Sequence, residues 1–170
     1  MMGKRSFTNL LAVTSIATYV LIVVGATVSV TDLAAACETW PTCNGSLFVA
    51  PGDEAFVAWG HRLAALLAGV LLAASVAASF VVDAPRRLRL VLVAALVLYP
   101  AQVAIGGLTA LSGQEFLPTV HLAAAMVIFT LTLVALTWNL EANAGEGEVE
   151  TEKKAAEPEP SEAEPPSSTF

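Results

Sequence analysis

Four apolar runs, at about 8–30, 56–82, 88–111 and 118–140, leave this chain few ways to fold. Each reaches the roughly 20 residues that a helix needs to cross a hydrocarbon core. All are rich in Ala, Leu and Val, and none alternates apolar with polar side chains, so barrel strands are excluded. In lipid the amides of such a segment must bond within it, and helices do that. The sequence therefore predicts an all-α membrane protein, a four-transmembrane-helix bundle over residues 1–140. The composition agrees, at 56% hydrophobic with a mean hydropathy of +0.70. The first run is too long for the apolar core of a cleavable signal and lacks a clean small-x-small site behind it, so it is expected to stay as a helix.

Charge sets the expected orientation. Lys4 and Arg5 precede the first run, and Arg86, Arg87 and Arg89 fill the 83–89 turn. The 31–55 loop carries four acids and no Lys or Arg, and the 112–117 turn carries only Glu115. The positive-inside rule then places both termini in the cytoplasm and the 31–55 loop outside, in a multi-pass protein of the cell membrane surrounded by lipid. From Glu141 onward, nine Glu against two Lys account for the whole net charge of −7. With four Pro and few large apolar residues, 141–170 reads as a disordered acidic cytoplasmic tail. Nothing basic enough to bind nucleic acid stands out in a body with six acids and six bases.

Polar side chains inside a membrane are costly and usually functional. The chain has two histidines, His61 near the start of the second run and His121 near the start of the fourth. Both runs begin at the outer face, which puts the imidazoles at matched depth. Opposed nitrogens across a flat ring are what axial ligation of a haem iron requires, so both are candidate metal ligands. The alternative is two unrelated polar residues near the interface. Arg62, next to His61, suits a haem propionate, or else snorkels to the headgroups. In the third run Pro100 is expected to kink the helix, and Gly106 and Gly107 permit close approach of a helix or a flat ligand. Gln102 and Thr109, seven apart and hence on one face, offer hydrogen bonds to something buried.

These residues resemble a family. "GATVSVTDLAAACETWPTCNG" (25–45) is similar to the first helix end and outer loop of haem A synthases, whose pattern is close to G-x-x-V-R-x-T followed by C-x-x-W-P-x-C-N-G. "HRLAALLAG" (61–69), "QVAIGGLTA" (102–110) and "LPTVHLAAAM" (117–126) match the later helices in order and spacing. The resemblance implies an oxidoreductase of terminal oxidase assembly that converts haem O to haem A, oxidising a methyl group to formyl. It implies haem b as cofactor, haem O and haem A as substrate and product, and a haem O synthase upstream. Most members carry two four-helix halves, each with a histidine pair. This chain resembles the half-length archaeal type, so two haem sites imply a homo-oligomer.

Two positions depart from the pattern. The glutamate one turn before the histidine is Ala58, and the arginine of the first-helix motif is Ser29. Glu54, seven residues before His61, is the nearest acid and the candidate catalytic group, on the same face but roughly 6 Å further out than the usual glutamate. A disulfide between Cys37 and Cys43 is expected on the outer face, holding Trp40 and Pro41 as a lid. Its role is either a structural clip or a redox-sensitive element. Two rivals remain: a non-catalytic bis-histidine haem protein, and a thiol oxidoreductase, though the latter generally uses C-x-x-C with a second pair.

Overall fold

The computed structural model describes residues 3–31 and 33–156. Four helices, α1 (Lys4–Val30), α2 (Phe56–Val81), α3 (Arg86–Ser112) and α4 (Leu117–Ala156), are each long and apolar enough to cross a membrane. A short 3₁₀ turn, Leu33–Ala36, lies between α1 and α2. There is no strand among the described residues. Each helix packs on its two neighbours in the ring α1–α2–α3–α4, the arrangement of an up-down bundle. Short links, 82–85 and 113–116, make α2–α3 and α3–α4 antiparallel neighbours. Gly113 ends α3 at φ 64°, a left-handed cap that glycine adopts without cost.

At one end of the bundle Phe7 and Leu11 of α1, Leu72 of α2, Leu88, Leu92 and Ala95 of α3, and Ile128 and Ala135 of α4 form a buried apolar core. Lipid supplies little hydrophobic drive between helices, so polar contacts add to the packing. The Thr14 and Ser75 hydroxyls lie 2.9 Å apart and join α1 to α2. Asn139 and Asn143 of α4 both donate to Thr8 Oγ1 of α1, at 2.7 and 3.1 Å. Arg87 stacks over the Trp138 ring at this same end, which carries all the basic residues flanking the bundle.

The expected disordered tail needs a correction. The helix does not stop at 140; α4 runs on to Ala156, and an ion pair between Lys4 and Glu146 ties the extension to α1. Extending an existing helix needs no new nucleus, and the Glu, Ala and Lys of 141–156 are good helix formers. That local preference outweighs the low apolar content. Residues 157–170 lie outside the described residues.

Candidate functional site

The end of the bundle away from the arginine turn is built on ring-to-glycine contacts. His61 is the sixth residue of α2 and His121 the fifth of α4. At 1.5 Å per residue they lie about 7.5 and about 6 Å below their helix starts. Each histidine thus stands in the second turn of its helix. Each imidazole rests on a glycine of the preceding helix. A Cβ on Gly25 of α1 would come within 2.7 Å of His61 Cε1, and one on Gly106 of α3 within 2.9 Å of His121 Cε1. In both histidines Nδ1 is enclosed and has no hydrogen-bond partner. A buried polar atom left in that state costs about 1–3 kcal/mol.

Two further rings follow the same rule. Tyr99 of α3 lies against Gly69 of α2, where a Cβ would meet its Cε1 at 2.8 Å, and its hydroxyl donates to the Ala65 carbonyl. Trp40 of the cysteine loop lies against Gly107, where a Cβ would meet Cε2 at 3.1 Å. So Gly106 and Gly107 admit a histidine from α4 and a tryptophan from the loop. The glycines are seats for rings rather than points of bare backbone contact.

The cysteine loop closes over this end. Cys37 and Cys43 are bonded, and both are fully buried among Val28, Val49, Ala55 and Ala58. The Trp40–Pro41 peptide is cis. Asn44, at φ 53°, accepts from the Glu38 amide at 2.8 Å and donates to the Ala36 carbonyl at 2.9 Å, bracketing Cys37. Trp59 Nε1 holds the far side through the Leu47 carbonyl at 3.0 Å. The pairing has a direct check. Alkylation without reductant, followed by mass spectrometry, should add no label to either cysteine, and reductant should expose both.

Arg62 does something the sequence did not disclose. Its Nη1 donates to the carbonyls of Thr39 and Thr42 at 2.7 and 2.6 Å, and its Nη2 to that of Cys37 at 3.3 Å. It is thus a strap between the histidine helix and the disulfide loop, a role for which a planar fork with several donors is suited. Gln102 is buried, and its Nε2 donates to the His121 backbone carbonyl at 2.9 Å. Thr109, on the same α3 face, donates to its own Ile105 carbonyl at 2.9 Å.

Glu54 is placed differently from expectation. Helix α2 begins only at Phe56, and Asp53 makes a turn, accepting the Ala55 amide on its side chain at 2.8 Å and the Phe56 amide on its carbonyl at 3.0 Å. Glu54 is exposed on that turn, so the helical-rise argument that put it above His61 does not hold. Ala58, where the resembled pattern has glutamate, is buried beneath the disulfide. Ser29 is exposed.

Residues 8–162 match the COX15-CtaA family, described as cytochrome oxidase assembly protein. The chain belongs to that family. A heme A synthase of Bacillus licheniformis is 35% identical over 72 residues, 42% of this chain and 24% of that protein. A protoheme IX farnesyltransferase of Haloarcula marismortui is 42% identical over 142 residues, covering 84% of this chain. One of Halobacterium salinarum strain R1 is 42% identical over 137 residues, covering 80%. The chain spans 30% of the length of each of these two relatives. No solved structure matches the chain.

Proposed function

We propose that this chain binds a haem between His61 and His121 and serves the oxidation of haem O to haem A. The observation that carries the reading is the pair of glycine-seated imidazoles at one depth, with enclosed Nδ1 atoms, under a disulfide-closed loop. A haem b held there supplies an iron that passes single electrons. His61 and His121 hold the group from opposite helices, Gly25 and Gly106 fix their rings, and Trp40 and the loop restrict water. In balance, the substrate methyl and one water give the formyl group, four protons and four electrons, the electrons leaving to a membrane carrier outside this chain. The charge asymmetry supports a cell-membrane orientation with the loop outside.

The relatives named protoheme IX farnesyltransferase are roughly three times as long as the matched part, so a unit of this kind occurs in one polypeptide with more protein. Their printed activity supports a haem O-forming enzyme as this chain's supplier. Because one chain carries one histidine pair, a second haem site calls for a second copy, most simply a symmetric homo-oligomer.

A second reading, a haem protein without catalysis of its own, is favoured by one observation. The position of the family's glutamate is Ala58, packed in an apolar cluster, while Glu54 stands exposed outside the helix. Expression beside a haem O synthase, followed by haem extraction, tests the two. The proposed activity gives haem A; retained haem b with only haem O in the extract overturns it in favour of the carrier. If Glu54 is the working acid, Glu54→Gln keeps haem content and lowers haem A at least tenfold. Full haem A formation by the variant removes Glu54 from the reaction.

A further inference from the structure

Both histidine rings rest on a glycine, and the residue one turn before that glycine differs between them. On α3, Gln102 stands one turn before Gly106, the seat of His121; on α1, the residue one turn before Gly25, the seat of His61, is Leu21. Only the His121 side therefore has an amide at the foot of its ring. That amide is half used. Gln102 Nε2 donates to the His121 backbone carbonyl, while Gln102 Oε1 is buried with no donor. His121 Nδ1 is also buried and without a partner. An unused acceptor thus accompanies an unused ring nitrogen, and the same amide already grips the backbone of that histidine. The terminal torsion of a glutamine is soft, so Oε1 can turn without any change in the backbone. The imidazole Nδ1 can serve as a donor when it carries the proton.

We infer that Gln102 is the positioning residue of His121, its Oε1 accepting the Nδ1–H proton while its Nε2 holds the backbone carbonyl. The bond fixes the Nδ1–H tautomer and turns Nε2 to the ligand side. Metal-bound histidines commonly have such an outer partner, which sets ring orientation and raises basicity. His61, lacking one, is the freer ligand. The two axial positions are consequently unequal, with His121 the anchored one and His61 the one that exchanges. This rests on the bis-histidine reading for its meaning, but the tautomer is a property of the protein without haem.

Two measurements separate the claims. In haem-free protein labelled with ¹⁵N-histidine at about pH 8, above the ordinary histidine pKa, His121 should show the Nδ1–H tautomer. Gln102→Leu should shift it toward Nε2–H and leave His61 unchanged. A His121 signal identical in wild type and variant overturns the inference, whether or not haem binds. In haem-loaded protein, Gln102→Leu should lose ferric haem about tenfold faster, within the range seen when outer partners are removed. If the ferric form alone is weakened tenfold, the one-electron potential rises by about 59 mV. Gln102→Glu, which keeps shape and adds a stronger acceptor, should move the potential the other way. A purely structural role predicts no such opposition, and unchanged potentials in both variants overturn the inference. A wild-type chain that takes up no haem while keeping the Gln102-dependent tautomer overturns the haem reading and sustains the hydrogen bond.

Discussion

His61→Ala and His121→Ala should each abolish the low-spin haem spectrum, by loss of the haem or by conversion to a five-coordinate high-spin form. On the proposed ligation each substitution removes an axial nitrogen, and the chain has no third histidine to supply another. Removal of a ligand itself should exceed the 10–100-fold loss of affinity that follows removal of outer partners. The two variants should also differ from one another. With Gln102 bound to the His121 backbone, His61→Ala leaves an anchored ligand and a five-coordinate haem, whereas His121→Ala leaves only the unsupported ligand and loses more haem. The measurements are reduced-minus-oxidised spectra and haem-to-protein ratios of purified protein. An unchanged spectrum in both variants would overturn the ligand assignment.

The second large effect comes from single methyl groups. Gly25→Ala places a Cβ 2.7 Å from His61 Cε1, and Gly106→Ala places one 2.9 Å from His121 Cε1, both closer than carbon atoms tolerate. The ring must move or the helices must part. Overpacking of this kind costs about 1–3 kcal/mol. Expressed through haem binding, that is a loss of roughly 5- to 150-fold in affinity. The control lies one residue from His61. A Cβ on Gly60 meets nothing within 4 Å, so Gly60→Ala should leave haem affinity unchanged and gain up to about 1 kcal/mol of helix propensity. Equal loss in Gly25→Ala and Gly60→Ala would show that helix geometry, not ring seating, is at stake. Haem titration of the three variants decides it.

Arg62 and Gln102 show how far residue type alone leads. Both stood out in the sequence as polar groups too costly to bury without purpose, and both are engaged in the structure. Their partners were not legible. Arg62 reaches carbonyls more than 19 residues back in the chain, and Gln102 a carbonyl 19 residues ahead. Gly25 carried a signal only as the first residue of the quoted motif, and Asn44 only as the middle of "CNG"; what each does depends on an imidazole or a backbone turn that other segments supply. The helical-rise placement of Glu54 failed for a local reason, since the turn made by Asp53 starts α2 after it.

By itself the sequence determined the four spans, their antiparallel order and the place of the histidines near the starts of the second and fourth helices. These follow from run length, loop length and the position of basic residues, which are properties read along the chain. The tertiary structure decided which ring rests on which glycine, where the Arg62 fork is fixed, and that α4 continues past the last apolar run to Ala156. The reason lies in the solvent. In lipid a helix can be as apolar on its outer face as on its inner one, so hydrophobic pattern does not say which face turns inward. Rotation about each axis is then set by small residues and by polar partners across the bundle, and those contacts exist only once the four helices are assembled.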